Sequence, residues 1–134
     1  QKRNMIDLSK KYNLLQRDGY NEWCYASLED VKSNFEKASL MDYAIFIKGD
    51  VKETLNNASN LPKSGISLLR LDTDFYDSTK FELQMLYPIL SVKGICLLDD
   101  YGNFKGVKKA VDDFIKNNNL KIEFIEDRFA KIIT

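Results

Sequence analysis

The sequence predicts an α/β domain, and three observations carry that reading. Short, mostly apolar runs at residues 43–48, 66–71 and 95–98 alternate with longer stretches whose apolar residues recur at helical spacing. Runs this apolar, without strict polar alternation, suit strands covered on both faces by helices, as in a parallel sheet. The chain then closes on two more strand-like runs, 122–125 and 129–133, which flank Glu126-Asp127-Arg128 as an antiparallel pair. No internal repeat or low-complexity linker interrupts the 134 residues, a length that suits one domain.

Residues 1–26 are mixed and polar, with Asp18-Gly19 as a turn signal, and are expected to be irregular with room for a short helix. Ser27-Leu28-Glu29-Asp30 is a capping box that opens a helix to about Ser39, with Leu28, Val31, Phe35 and Ala38 on one face. The run 43–48 reads as a buried strand ended by Gly49-Asp50, and a short helix follows through Leu55. Pro62 and Gly65 break the chain before the strand Ile66–Leu71, which ends in Asp72-Thr73-Asp74. Thr79-Lys80-Phe81-Glu82 matches a second capping box, and Phe81, Leu83, Met85, Leu86, Ile89 and Leu90 supply that helix's apolar face. Gly94 precedes the strand 95–98. A further amphipathic helix covers 107–117, with Val107, Ala110, Val111, Phe114 and Ile115 on one face and Asn117-Asn118-Asn119 as its stop.

Composition narrows the function. Twenty basic and twenty acidic residues cancel, so no nucleic acid and no anionic membrane is indicated as a partner, and a small molecule is the default. Cys24 and Cys96, the second inside an apolar run, suit a reduced protein of the cytoplasm rather than a disulfide scaffold. No apolar stretch approaches the roughly 20 residues of a membrane helix, and the N-terminus lacks a signal-peptide profile. The chain begins at Gln1 rather than Met, the start expected of a cut or processed chain. Histidine is absent, which removes a Ser-His-Asp triad, a Cys-His pair and every His-containing zinc site. Two cysteines cannot make an all-thiolate site. Acid–base or metal chemistry then falls to carboxylates, Lys, Tyr or water, and oxygen ligands favour hard cations such as Mg2+, Ca2+ or Mn2+.

In an α/β sheet, ligands sit outside the carboxyl ends of the strands. Three runs here finish there in acids: Gly49-Asp50, Asp72 and Asp99-Asp100. Asp72 and Asp99 are separated by about one strand, one helix and one strand, so parallel pairing would set them side by side. Carboxylates that close repel unless a cation neutralises them, and a divalent ion held by Asp72, Asp99 and Asp100 is one solution. The plainer alternative is that an Asp after a strand caps the next helix or makes a turn. Asp74 and Asp77 are expected to be of that kind, Asp112-Asp113 to be a solvated helix face, and Tyr76, Tyr87 and Tyr101 to be packing residues.

The run LLRLDTDFYDST, then LYPILSVKG, then ICLLDDYGNFKGVKKAVDDF resembles the macrocin O-methyltransferase (TylF-type) family of S-adenosylmethionine-dependent methyltransferases. The family pattern is close to LRLDGDLYEST, LYPKLSPGG, VIVDDYG and G-x-x-x-AVDDF. The segment SLEDVKSNFEKASLMDYAIFIKGDVKETL is similar to the part before those motifs, so the resemblance covers roughly residues 20–134. It implies a Rossmann-like class I methyltransferase fold, S-adenosylmethionine as donor and a divalent metal such as Mg2+ at the strand ends. Carried over, Asp72 from LD-x-D and Asp99 and Asp100 from DDY would be the metal ligands, and Asp72 could also accept a proton. Gly49 and Asp50 fall where related folds pass the adenosine of the cofactor. The implied acceptor is a small-molecule hydroxyl compound, commonly a sugar.

Two departures leave the ligands intact: Thr73 replaces the usual Gly, and Lys93 the first Gly of the GG pair. A third touches the fold. The family's first strand with its glycine-rich cofactor loop, and its second strand with a ribose-binding acid, have no counterpart here, and no G-x-G-x-x-G occurs. The expectation is therefore a truncated fold lacking the first two strands, whose sheet must close the gap, split, or borrow strands in a homo-oligomer or from a complementing chain. Three functional readings stand: a metal-dependent O-methyltransferase seen as its metal- and acceptor-binding part, a non-catalytic remnant or binding module of the same fold, and an acidic Mg2+ pocket of the receiver kind. Against the last, receiver domains place their acidic pair early, whereas Asp99-Asp100 come late.

Overall fold

The computed structural model describes residues 5–18, 20–125 and 129–133, which fall into two units: Ser9–Asp50, and a sheet unit made of Val51–Thr134 with the residues up to Leu8. In the first unit a short helix, Ser9–Leu14 (α1), leads into a two-residue antiparallel ladder of Gln16–Arg17 (β1) with Tyr20–Asn21 (β2). Gly19, half of the expected turn between them, lies outside the described residues. The Asn21 amide donates to the Tyr12 carbonyl at 2.7 Å, and the Lys11 ammonium sits 3.9 Å from the centre of the Trp23 ring. Helix Leu28–Lys37 (α2) begins with the expected capping box: the Asp30 amide donates to Ser27 Oγ at 3.1 Å and the Ser27 amide to the Asp30 carboxylate at 3.4 Å. A cap of this kind contributes about 1 kcal/mol.

The strand expected over 43–48 does not form. Met41–Tyr43 is a single 3-10 turn, residues 44–48 have no regular structure, and Ile45 is 91% exposed. The residue types favour a strand, but a strand exists through a neighbour's hydrogen bonds, and none of the described strands pairs with this run. Phe46 packs instead edge-on against Phe35 of α2, centroids 5.1 Å apart.

The sheet unit opens with a short helix, Val51–Thr54 (α3). Its sheet consists of Ile66–Leu71 (β3), Leu90–Leu98 (β4), Lys121–Phe124 (β5) and Ala130–Ile133 (β6), in the order β3-β4-β6-β5. β3 and β4 run parallel, as their separation by one helix requires, and β6 lies antiparallel to both β4 and β5. The closing antiparallel pair is therefore present, although Glu126-Asp127-Arg128 between its strands lie outside the described residues. Helices Tyr76–Leu86 (α4) and Lys105–Asn118 (α5) supply the apolar cover, and Leu69, Leu71, Leu83, Cys96, Leu98, Val111 and Ile132 form the core. Both faces were expected to be covered. Leu68 and Ile95, which point away from Leu69 and Cys96, are 62% and 48% exposed.

β4 starts five residues earlier than its apolar pattern suggests. The extra length is taken up by an irregularity in its pairing with β3, between Ile66 and Leu68. Lys93 there adopts φ 66, a backbone better suited to glycine. Gly94 has no such substitute, since a Cβ would stand 2.7 Å from the Ile66 carbonyl oxygen. The second capping box also differs from expectation. α4 begins at Tyr76, with Phe75 in the cap position and no side-chain cap bond, while Thr79 and Glu82 are buried inside it. Tertiary packing overrides the local match. α5 ends as its Asn run predicts, with Asn119 left-handed at φ 52. Among the described residues no helix is long and apolar enough to cross a membrane.

Candidate metal centre

The parallel register pairs Leu71 with Leu98, so the next residues, Asp72 and Asp99, leave the sheet side by side. The Asp99 amide donates to the Leu71 carbonyl at 3.0 Å, carrying the pairing one step past the strands. Asp100 then turns the chain with φ 54, a left-handed conformation that Asp tolerates better than most residues. Its carbonyl accepts from the amides of Asn103 and Phe104, and its carboxylate from Asn103 Nδ2 at 2.9 Å. Residue Ile6 braces this turn through a short parallel bridge to Phe104. One oxygen of each of Asp72, Asp99 and Asp100 lies within 4.8 Å of the others. Asp99 and Asp100 are buried, and Asp72 faces solvent.

Hard cations take oxygen ligands at about 2.0 to 2.6 Å, so opposite ligands can stand up to about 5 Å apart. Three carboxylate oxygens within 4.8 Å therefore suit Mg2+, Mn2+ or Ca2+ in both spacing and donor type. The structure also places a cation in the cluster that the sequence reading passed over. Arg70 Nη1 bonds the Asp72 carboxylate at 2.8 Å, and Nη2 bonds the Asp99 carboxylate. Burial acts against the Arg70 charge, but Asp72 and Asp99 more than offset it and raise its pKa. The missed signal is positional: in a strand, residues two apart share a face, so Arg70 and Asp72 had to project together.

Glu82 is the second omission. It is buried on α4 and accepts a 2.6 Å hydrogen bond from Thr73 Oγ1. Burial pushes its carboxyl pKa up, the Thr73 bond pulls it back and the Asp72 charge adds to the rise. Thr73, which departs from the family's glycine, thus anchors the loop after β3. Asp112-Asp113 lies on a solvated helix face, as expected, with the side chains 47% and 43% exposed, and both acids also hold partners there. Tyr101 donates to Asp112 at 2.7 Å and Tyr76 to Asp113 at 3.0 Å, with Lys108 and Lys109 paired to them.

Gly49 and Asp50 close the Ser9–Asp50 unit and precede α3; Gly49 has φ 148. Asp77 lies in the first turn of α4, where its charge favours the helix dipole, and Asp74 has φ 62 in the loop before it. A cleft of about 510 Å3 between α4 and α5 is lined by later residues of those helices, among them Lys80, Gln84 and Asn117, and by none of the three acids.

The fold agrees with comparisons to known proteins. Demethyldecarbamoylnovobiocin O-methyltransferase of Streptomyces niveus is 37% identical over 100 residues, 74% of this chain and 37% of that protein. The 8-demethyl-8-(2,3-dimethoxy-alpha-L-rhamnosyl)-tetracenomycin-C 4'-O-methyltransferase of Streptomyces olivaceus is 39% identical over 88 residues, 65% of this chain and 32% of that one. Among solved structures, the O-methyltransferase NovP superposes with a TM-score of 0.75 at 30% identity, over 87% of this chain and 53% of NovP. The chain thus spans about a third of the length of these curated relatives. The family model for macrocin-O-methyltransferase (TylF) matches residues 5–129, and the chain belongs to that family.

Proposed function

We propose that this chain supplies the metal- and acceptor-binding part of an S-adenosylmethionine-dependent O-methyltransferase acting on a small-molecule hydroxyl group, as its relatives are named for O-methylating a demethyldecarbamoylnovobiocin and a rhamnosyl-tetracenomycin. The observation that carries the reading is the convergence of Asp72, Asp99 and Asp100 at the ends of two parallel strands. On this reading the four strands are the later half of a class I methyltransferase sheet, within one partial domain. The family's first two strands lie outside these residues.

A divalent cation at the three acids would polarise the acceptor hydroxyl and fix its approach to the methyl group that S-adenosylmethionine supplies. The chain's own residues do the rest. Asp99 and Asp100 are buried and held by the Asp100 and Asn103 N–H groups, so they are preorganised donors. On the family resemblance, Asp72, the solvent-facing member, would accept the hydroxyl proton, and Gly49-Asp50 would contact the adenosine. A second reading is a binding module of the same fold without turnover. Isothermal titration of the folded chain with S-adenosylmethionine, with and without Mg2+, separates the two. Micromolar binding supports the enzyme part. No binding leaves a metal corner without a cofactor site and supports the module.

A further inference from the structure

Arg70 lies in β3 two residues before Asp72, and its register partner Leu97 lies two before Asp99. The guanidinium is therefore directed at both carboxylates from the same face of the sheet. It bonds Asp72 Oδ2 and Asp99 Oδ2, while Asp99 Oδ1 accepts the Asp100 amide at 2.9 Å. Both oxygens of the most deeply buried ligand are thus already engaged. The Arg70 side chain is itself 48% exposed, so it has solvent into which to withdraw.

We propose that Arg70 is a built-in competitor for the divalent cation, neutralising Asp72 and Asp99 when no metal is present and withdrawing from Asp99 when one binds. The inference rests on the metal reading above. A guanidinium is charged at every working pH and matches carboxylate pairs through its planar fork. It can therefore hold two acids together that would otherwise repel, and it opposes a second cation arriving at the same oxygens. The opposite role, a strut that presents the carboxylates to the metal, makes the opposite prediction.

The test is titration of Mn2+ alone and Mg2+ alone into the whole chain as wild type, Arg70→Gln and Arg70→Lys, with far-UV circular dichroism to show that each is folded. Removing the charge beside a divalent ion is expected to tighten binding of Arg70→Gln about tenfold or more. Its melting temperature without metal should fall, and the rise on adding metal should exceed that of wild type. Arg70→Lys, with a point charge that cannot fork across both acids, should lie between the two. Equal or weaker metal binding by folded Arg70→Gln, or weaker binding by Arg70→Lys than by wild type, would overturn the proposal and leave the metal reading intact. If neither wild type nor Arg70→Gln binds either ion, the metal reading fails and takes the proposal with it.

Discussion

The sheet unit contains two pairs of adjacent aspartates with different surroundings. Asp99-Asp100 follows the last residue of β4, and the two are 2% and 8% exposed. Asp112-Asp113 lies on a helix, with the two side chains 47% and 43% exposed. The helix pair meets lysines one turn away and tyrosine hydroxyls from neighbouring segments, so its charge is neutralised by lysine and water, and the bonds act as struts. The strand-end pair is joined by a third, solvent-facing carboxylate, Asp72, and one guanidinium is shared between Asp72 and the buried Asp99. The contrast is one of setting: on the metal reading, the buried and converging pair is the one suited to a cation, and the half-exposed helix pair serves as a fastening.

The largest expected effect follows from that contrast. Asp99→Ala and Asp100→Ala should each weaken Mn2+ binding about 100-fold or more, whereas Asp112→Asn should leave it unchanged; equal losses in all three would erase the distinction. Asp112→Asn should instead lower stability by about 1 kcal/mol, because Tyr101 and Lys108 lose a charged acceptor that is itself half-exposed. Urea unfolding would show it.

A smaller effect concerns Glu82, the buried acid beneath the site. Its folded pKa is raised above the usual value near 4.5 by burial first and Asp72 second. An acid bound more tightly to its proton in the folded state loses stability as pH rises from the unfolded value through the raised one. Glu82→Gln should therefore raise the melting temperature at pH 7, and the gain should vanish below about pH 4.5. A gain that persists at low pH would point to packing rather than charge. The smallest effect is at Lys109, whose pairing with Asp113 is solvent-exposed: Lys109→Ala should leave the thermal melt essentially unchanged.

Much of this was legible in the residues because it depends on local pattern. β3 is bounded as its apolar run and Pro62, Gly65 and Asp72 indicate, and α5 ends at its Asn run. The convergence of Asp72 with Asp99 follows from parallel pairing alone. What was not legible depends on neighbours. The run 43–48 has strand composition but no paired strand. Thr79-Lys80-Phe81-Glu82 matches a capping box, yet Glu82 is drawn inward by Thr73 and the helix starts earlier. Asp112 looks like any surface acid until the fold brings Tyr101 to it. Arg70 was readable in principle from the two-residue period of its strand, but only once the acids beside it were known to converge.

The measurement closest to the central claim is a Mn2+ titration of the folded chain, followed by electron paramagnetic resonance of the ion, with Asp99→Asn and Asp112→Asn run alongside. A single saturable site that Mg2+ displaces, lost in Asp99→Asn and retained in Asp112→Asn, is the predicted result. A folded chain that leaves Mn2+ in solution, or binds it equally well after Asp99→Asn, would contradict a metal centre at the ends of β3 and β4.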